Sequence, residues 1–359
     1  MKKLAFIALA ALLLIPVLAQ DKRYTMYGVM FYNLENLFDT INSNGNYDLE
    51  FSPQGARQWN NEKYWQKQHN MAYAISQITT QGTPDGPALI GVSEIENITV
   101  LQDLVRQPEL KNRHYQIVHH DGPDRRGVDV GLLYDPRVFK VLNVTNQRLG
   151  RRYFESIGYG DQYSTDFRTR DQLCVTGLLA GEKVSVLVNH WPSRIGGQEQ
   201  SSYLREAAAA MARQTIDSLL RDDPEQGIFF MGDLNDDPQD RSCAKYLHAV
   251  RDLNDVNSVS DLYNPWWKML DKGIGTLAYK GQWNLFDQII CNGYFLRHHE
   301  GKDKPQLTFL RAEVLNRDFL KTSEGDRKGY PHRTFSAGVF LNGYSDHFPT
   351  IIYLVKEAR

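Results

Sequence analysis

The feature that most constrains the fold of this chain is a series of short apolar or alternating segments, each bounded by Gly, Pro, Asn or Asp. Segments of this length and composition predict β-strands, and their number predicts a protein built largely from sheets. Ten strands are predicted, at residues 27–32, 88–92, 115–118, 128–134, 138–144, 172–179, 183–188, 227–231, 285–290 and 350–354.

Two segments have the pattern of helices, residues 62–78 and residues 199–220, and Pro224 follows the second. Strands with interspersed helices predict an α/β protein with mixed sheets. The strand spacing is too irregular for a (β/α)₈ barrel or a solenoid. Long polar loops are functional rims or insertions in most compact domains, and the last of three such loops here is long enough to hold an extra hairpin. The three loops are residues 40–61, 146–170 and 297–335.

The N-terminus has the pattern of a secretory signal peptide. Lys2 and Lys3 precede an apolar run over residues 4–18, and small side chains at Val17 and Ala19 suit a cleavage site. A membrane anchor is the alternative, but the run is shorter than the ~20 apolar residues that span a bilayer. The sequence therefore predicts a signal peptide at residues 1–19 and export to the periplasm or the extracellular space. Residues 20–359 are predicted to form a single domain without stable membrane insertion.

Charge and cysteine content exclude several classes of protein. The formal charge is −2 at pH 7 and becomes −4 without the two leader lysines, so binding to nucleic acid cannot depend on overall charge. The three cysteines lack the spacing of a metal site. Cys174 and Cys291 lie in strand-like runs and are predicted to be buried thiols, so at most one disulfide could form.

Polar motifs occur where predicted strands end or begin, which places their side chains at a common sheet edge. The motifs are Asn33-Leu34-Glu35-Asn36, Ser93-Glu94-Ile95-Glu96, Asn189-His190-Trp191-Pro192, Gly232-Asp233-Leu234-Asn235 and Tyr344-Ser345-Asp346-His347. Carboxylate and amide oxygens are the ligands that Mg²⁺ prefers, and histidine with carboxylate can move the proton of an attacking water. Zinc would need a closer cluster of His or Cys. The motifs therefore predict a Mg²⁺ site that acts on phosphate, which Mn²⁺ or Ca²⁺ could also occupy.

Taken in order, these motifs together with Asp287 resemble those of the endonuclease/exonuclease/phosphatase superfamily, whose fold is that of DNase I. Each motif alone is weak, but five or six in the family's order are specific, and they extend from residue 33 to residue 347. The resemblance implies a four-layer α/β sandwich, with two mixed β-sheets packed face to face and helices outside. It also implies a metal-dependent hydrolase of phosphate esters.

The resemblance also implies metal ligands and water-positioning residues. Glu94 matches the principal metal ligand, and Asp346 matches a further metal-side carboxylate. Glu35 stands where many relatives have Asp, so its role at the metal could be indirect. Asn33 matches an amide that orients metal or phosphate. Asp233 and Asn235 match the pair that positions the attacking water and contacts phosphate.

Two histidines are implied to act on either side of the phosphate. His347 matches the histidine that binds phosphate or relays a proton, and Asp287 matches the carboxylate that orients it. His190 matches the second histidine of the DNase I and sphingomyelinase branches, with Asp121 or Asp124 as its partner. Phosphate contacts are expected from residues near these motifs, namely Asn189, Arg170 and Arg194.

Several neighbouring polar and aromatic residues have a plainer interpretation as turn, loop or packing residues. They are Glu96, His119, His120, Asp236, Asp237, Trp266 and Trp267. For four arginines, a phosphate-facing rim and a solvated loop are both open interpretations. They are Arg125, Arg126, Arg151 and Arg152.

Three functions follow from this reading. The first is a nuclease-type phosphodiesterase, which both histidines and Arg170 favour. The second is a phosphatase or phosphodiesterase on small or lipid substrates such as inositol phosphates or sphingomyelin, which export and the lack of basic excess favour. A non-catalytic phosphate-binding module is disfavoured because no expected catalytic position is lost. No obligate protein partner is evident.

Overall fold

The computed structural model of the protein describes residues 23–41, 49–296 and 306–358. The predicted signal peptide lies outside the described residues. Within those ranges, no helix is both long and apolar enough to cross a membrane. The strands are, in chain order, β1 (Tyr24–Leu37), β2 (Leu89–Ile95), β3 (Gln116–His119), β4 (Asp129–Tyr134), β5 (Phe139–Gln147), β6 (Gln172–Leu179), β7 (Glu182–His190), β8 (Gly227–Asp233), β9 (Ala249–Val250), β10 (Leu262–Tyr263), β11 (Leu277–Tyr279), β12 (Gln282–Asn284), β13 (Asp287–Asn292), β14 (Thr308–Val314), β15 (Phe335–Ser336), β16 (Val339–Phe340) and β17 (Thr350–Glu357). The α-helices are α1 (Asn61–Ser76), α2 (Ile98–Val105), α3 (Arg151–Glu155), α4 (Gln198–Asp222) and α5 (Trp267–Leu270).

Two large mixed sheets form the centre of the protein. The first has six strands in the order β14-β17-β1-β2-β4-β3, and the second has seven in the order β5-β6-β7-β8-β13-β10-β9. Both sheets combine parallel and antiparallel pairs: β1 is parallel to β2 but antiparallel to β17, and β7 is parallel to β8 but antiparallel to β6. Two further pairs, β11–β12 and β15–β16, form small hairpins outside these sheets.

The two sheets pack face to face over a common apolar core. Val29 and Ile90 of the first sheet are buried in the same cluster as Val186, Phe229 and Ile289 of the second. A strand between two packed layers has both faces buried, which explains why these segments read as nearly continuous apolar runs.

Helices cover the outer faces. The alanine-rich face of α4 packs against Leu187 and Phe230 in a second apolar cluster, on the other side of the second sheet. Asn60 begins α1, because its side chain accepts a hydrogen bond from the backbone N–H of Lys63. The resulting order of helix, sheet, sheet and helix is the four-layer arrangement that the motifs implied.

All ten predicted strands and both predicted helices are present, with ends that differ by a few residues. Residues 146–170 were predicted to be a loop but contain the short helix α3. The loop 297–335 was expected to be able to hold a hairpin. Its described part contributes strand β14, which pairs with β17 at the edge of the first sheet, and it ends at Phe335, where the hairpin β15–β16 begins. All three cysteines are buried and free, as predicted for Cys174 and Cys291.

Candidate active site

Strand register brings the predicted motifs to one edge of the molecule. In the second sheet His190 at the end of β7 lies beside Asp233 at the end of β8, and Asp287 at the start of β13 lies on the other side of Asp233. In the first sheet Asn33 of β1 pairs with Ser93 of β2, one residue before Glu94. The ends of parallel neighbours point the same way, so both sheets deliver their polar residues to the same place.

The two sheets are joined at this edge by a buried hydrogen bond. The Asn33 side-chain amide of the first sheet donates to Oδ2 of Asp233 in the second, at 3.0 Å. Both residues are almost completely buried. The bond fixes the orientation of the Asn33 amide relative to one carboxylate oxygen of Asp233.

The backbone is strained where several of these residues leave their strands. Glu35, Asn36, Glu94 and Asn235 all have φ between 47° and 57°. That left-handed region is costly for residues other than glycine and is found mainly where the surrounding structure imposes it, often at functional sites. In this protein hydrogen bonds hold two of these residues in that conformation. The Asn36 N–H donates to Oε2 of Glu94, and the Asn235 N–H donates to Oδ1 of Asp233, both at 3.0 Å.

Asp233 is the centre of the group. Its Oδ2 lies 3.6 Å from Nε2 of His190 and 3.9 Å from Nε2 of His347. Burial raises the pKa of Asp233 to about 6, an effect that His347 opposes and Asp287 reinforces. A carboxylate whose pKa lies close to neutral can accept a proton more readily than an ordinary aspartate.

His347 is held by two neighbours. Its Nδ1 lies 2.7 Å from Oδ2 of Asp287, the pairing that the resemblance implied. Its backbone N–H donates to Oγ of Ser345, which in turn donates to the carbonyl of Asn33 at 2.7 Å. Burial alone would lower the pKa of His347, but the Asp287 and Asp233 carboxylates raise it well above its usual value. The two carboxylates therefore favour the cationic form of His347.

Glu94 is ionised and paired with an arginine. Oε1 of Glu94 lies 3.2 Å from a guanidinium nitrogen of Arg126, which also donates to the Asn36 side chain. Burial would raise the pKa of Glu94, but the Arg126 guanidinium holds it well below its usual range. A carboxylate must be ionised to bind a metal, and Glu94 satisfies that condition.

Glu35 and Asp346 are linked by Arg333. The guanidinium of Arg333 lies 3.2 Å from Oε1 of Glu35 and 2.8 Å from Oδ2 of Asp346. The backbone N–H of Thr334 donates to the other oxygen of Glu35 at 2.6 Å. Burial raises the pKa of Glu35, and the adjacent Asp346 adds to the rise.

Lys67 approaches the same carboxylates from helix α1. The side chain is fully buried, and its ammonium donates to Oγ1 of Thr334 and to the carbonyl of Tyr344. Burial lowers the pKa of Lys67, whereas Glu35 and Asp346 oppose that effect. Lys67 therefore braces the segment that carries Asp346 and His347.

His190 differs from the expectation for its partner. Among the described residues no side chain or backbone group bonds its Nδ1, although the atom is buried. Asp124 bonds Arg170 instead, at 3.1 Å, and Asp121 is exposed and lies nearest His119. The expected Asp121 or Asp124 pairing is therefore wrong, because Arg170 lies between. Burial lowers the pKa of His190 well below its usual value, and Arg170 lowers it further, so both effects favour the neutral imidazole.

The residues expected to contact phosphate have other partners. Arg170 is buried and donates to the carbonyls of His190 and Trp191. The Asn189 side chain is buried and donates to two backbone carbonyls. Arg194 donates to the carbonyl of Asn235 at 2.8 Å and pairs with three aspartates behind the Gly-Asp-Leu-Asn turn. All three hold the loops that carry His190 and Asn235.

The structure also shows the roles of neighbouring residues that the sequence analysis interpreted as turn, loop or packing residues. Glu96 accepts the backbone N–H of Asp39 at 2.7 Å, as a loop residue would. Trp266 is fully buried and packs in the core. His119 was expected to be exposed, but its side chain is buried against Asp129, with Nε2 3.3 Å from Oδ2. The alternation of side chains along strand β3 directs His119 inward, but a strand of four residues is too short to show this alternation in the sequence.

Three basic residues of the site were not identified from the sequence as parts of it: Lys67, Arg126 and Arg333. Arg126 was one of four arginines left between two interpretations. Lys67 shares the buried face of α1 with Gln68 and Met71, and a lysine in such a position is a usable signal, since lysine is rarely buried without partners. Arg333 lies in a segment with no strand or helix pattern, and only the tertiary fold brings it to Glu35.

The site offers two kinds of donors to a cation. Asp233, Asp287 and His347 have ligand atoms within 4.8 Å of one another, as do His119, Asp121 and Asp129. In the first group, however, Asp287 is engaged by Nδ1 of His347. Three further carboxylates, those of Glu94, Glu35 and Asp346, offer oxygen ligands only, and each pairs with an arginine.

Comparison with known proteins agrees with this geometry. The sequence profile described as "Endonuclease/Exonuclease/phosphatase family" matches residues 28–356. Among curated protein sequences, none matches significantly.

Three solved structures share the fold. An endonuclease/exonuclease/phosphatase family protein from Bacteroides thetaiotaomicron is 14% identical, with a TM-score of 0.54, and the match covers 94% of this chain and 100% of that one. The mannosyl-6-phosphatase of the same organism is 15% identical, with a TM-score of 0.53 and coverage of 91% and 99%. Danio rerio TDP2 complexed with a single-strand DNA product is 13% identical, with a TM-score of 0.52 and coverage of 92% and 98%.

Proposed function

Since this chain belongs to the endonuclease/exonuclease/phosphatase family, whose profile matches nearly all of it, we propose that it is an exported, Mg²⁺-dependent hydrolase of small phosphate esters. The observation that carries the proposal is the position of Asp233. Its Oδ2 accepts a hydrogen bond from Asn33 and lies within 4 Å of Nε2 of both His190 and His347. A buried carboxylate between two imidazoles suits a reaction that moves protons.

The residues fit a hard divalent cation. Carboxylate and amide oxygens are the ligands of Mg²⁺, and Glu94 is ionised at the edge of the cleft. Glu94 would hold the ion, with Asp346 and Glu35 as further carboxylates and Asn33 as an amide. When bound, the cation neutralises phosphate charge and stabilises the charge that develops on the departing oxygen.

Asp233 is the proposed base. Its raised pKa lets it take a proton from the attacking water, and the bond from Asn33 fixes the direction of Oδ2. Asn235 lies next to Asp233. Its backbone N–H donates to Oδ1 of Asp233, and its side-chain amide donates to the carbonyl of Trp191. The turn is therefore rigid, and a water bound there would have a fixed direction of approach.

The two histidines have different proposed tasks. Asp287 favours the cationic form of His347, so His347 can donate a proton to the leaving oxygen. Burial favours the neutral form of His190, so His190 can donate one hydrogen bond from Nε2 to a phosphate oxygen but is a poor acid. Arg170 acts through His190, whose carbonyl it holds and whose pKa it lowers.

A small substrate is favoured over a polymer. Beside the site lies a pocket of about 190 Å³, lined by Glu35, Asn36 and Arg333 among others, which suits a group of several atoms. Arg170, on which the nuclease interpretation partly depended, has its donors committed to backbone carbonyls and Asp124. A nuclease-type phosphodiesterase is the second candidate, favoured by the position of both histidines beside Asp233.

Export remains part of the proposal on the strength of the leader at residues 1–19. We expect cleavage near Ala19 and a mature protein in the periplasm or outside the cell. N-terminal sequencing of protein recovered from the periplasmic fraction and the medium tests this. A full-length protein confined to the cytosol would contradict it.

The activity is tested by assaying purified protein with and without Mg²⁺ on two kinds of substrate. Phosphate release is measured from nitrophenyl phosphate, sugar phosphates and inositol phosphates, and nicking is measured on plasmid DNA. We expect Mg²⁺-dependent phosphate release that is lost with a chelator and in Glu94→Gln, while the exposed control Glu199→Gln stays active. Nicking without phosphate release would favour the nuclease. Absence of both would contradict the proposed function.

A further inference from the structure

The pocket beside the catalytic residues has an excess of positive charge. Its wall carries the guanidinium groups of Arg57, Arg327 and Arg333 and a single carboxylate, Glu35. Both oxygens of that carboxylate already accept hydrogen bonds, from Arg333 and from the backbone N–H of Thr334. Glu50 pairs with Arg57 and Asp346 pairs with Arg333, so among the described residues the uncompensated positive charge of the pocket is that of Arg327.

The pocket is continuous with the catalytic site. Glu35 and Asn36 belong to both, because Asn36 also donates to Glu94. Arg333 reaches from the pocket to Asp346, the residue before His347. A substrate with its ester phosphate at Glu94 and His347 can thus place a second group in the pocket.

Two of the arginines are fixed by their neighbours. Arg57 pairs with Glu50 at 2.7 Å and lies over the rings of Phe335 and Phe51, 5.2 Å and 5.9 Å from the centroids. Arg333 is fixed by its two carboxylates. Guanidinium groups held in this way lose little further freedom when they bind an anion, which strengthens recognition of phosphate and carboxylate.

The third arginine is unpaired. Arg327 is exposed, and its side chain has no hydrogen bond or ion pair to any residue in the described ranges. A cation at the pocket mouth without an internal partner keeps its full charge available to a ligand.

The hairpin β15–β16 closes the other side of the pocket. Its two turn residues, Ala337 and Gly338, both have positive φ, at 48° and 83°. This is the tight two-residue turn that matches the twist of paired strands, so the wall is short and rigid. A rigid wall limits the size of the group that fits.

We propose that this pocket binds a second anionic group, phosphate or carboxylate, of a small substrate whose phosphate ester is hydrolysed at Glu94 and His347. The inference rests on the proposed function, because it assigns the substrate class of the same site. A volume of about 190 Å³ accommodates a phosphate or a carboxylate with part of its carrier. Of the two anions, phosphate is expected to bind more tightly, since it presents more oxygens to the three guanidinium groups.

Equilibrium binding tests the inference without turnover. Metal-free protein is titrated calorimetrically with glucose 6-phosphate, 6-phosphogluconate and glucose 1,6-bisphosphate, which differ in the second anion. We expect affinity to rise in that order, with the bisphosphate binding about tenfold more tightly than the monophosphate. Arg327→Gln should lose most of that gain and Arg327→Glu all of it. The exposed control Arg106→Gln should keep it.

Equal affinity for the three ligands, no binding of any, or an unchanged preference in Arg327→Glu would overturn the inference. Circular dichroism confirms that each variant is folded. Phosphate release with Mg²⁺ separates this inference from the proposed function. Hydrolysis without preference for the bisphosphate would support the proposed function but contradict the anion-binding role of the pocket. Preferential binding without hydrolysis of any ester keeps the anion pocket and removes the hydrolase.

Discussion

Nδ1 of His347 lies 2.7 Å from Oδ2 of Asp287, and both residues are buried although they are 60 positions apart in the chain. Asp287 begins a strand of the second sheet, whereas His347 precedes the last strand of the first. The contact therefore spans both sheets and depends on their packing. It fixes which nitrogen of His347 faces Asp233 and keeps the imidazole charged.

This contact predicts that the two residues act as a unit. His347→Ala and Asp287→Asn should each lower kcat by about a hundredfold or more, the usual scale for a positioned acid or base. The double variant should lose little more, because losses within a unit are not additive. Steady-state kinetics of the four proteins measures this. Losses that multiply in the double variant would show that the residues work separately.

The same contact predicts how stability depends on pH. The pKa of His347 is higher in the folded protein than its unfolded value of about 6.5. Its pairing therefore stabilises the fold fully below about pH 6.5, and the contribution is lost as pH rises toward the folded pKa.

The pH effect is measured by urea unfolding of metal-free wild-type protein and Asp287→Asn between pH 5.5 and 9. The difference in unfolding free energy should be largest at the acid end and shrink as pH rises. Comparing two proteins at each pH cancels titrations that they share. A difference independent of pH would mean that His347 is neutral in the folded protein.

The different charges of the histidines predict different responses to the leaving group. A nitrophenolate needs little protonation on departure, whereas an alkoxide needs much. The deficit of His347→Gln should therefore be smaller on nitrophenyl phosphate than on an alkyl phosphate. His190→Gln should lose a similar factor on both, because neutral His190 supplies only a hydrogen bond. Similar leaving-group dependence in the two variants would contradict this division.

From the ion pair between Arg126 and Glu94 we predict an effect on metal affinity. The Arg126 guanidinium lies 3.2 Å from Glu94, the residue proposed to hold Mg²⁺. Two cations that share one carboxylate repel each other, so Arg126→Gln should bind Mg²⁺ severalfold more tightly. Calorimetric titration measures this, and Arg125→Gln, which changes the adjacent arginine, is a matched control. Weaker binding in Arg126→Gln would show that Arg126 supports the metal site.

The central strands of the two sheets were predictable because they are buried on both faces. Runs such as residues 227–231 are apolar throughout, and their shortness favours strands over helices. Strands β9 to β12, β15 and β16 have two or three residues each, too few to show any period. Strand β14 lies at an edge and alternates weakly, so its sequence looks like the loop around it.

The acidic and histidine residues of the site were predictable because strand ends deliver them and the family order identifies them. The basic residues were not. Lys67 reaches the site from a helix, and Arg333 reaches it from an irregular segment about 300 positions after Glu35. The predicted partner of His190 was wrong for a related reason. Asp124 is hydrogen-bonded to Arg170 instead, and no sequence pattern pairs those two residues.

The central claim is that Glu94 holds the divalent ion on which hydrolysis depends. Its most direct test is calorimetric titration of Mg²⁺ into wild-type protein and Glu94→Gln, with phosphate release measured on the same samples. Because the amide keeps the shape but lacks the charge, we predict that affinity and rate fall together, the rate by about a hundredfold, or ~3 kcal/mol. Wild-type affinity with near-normal turnover in Glu94→Gln would contradict the account.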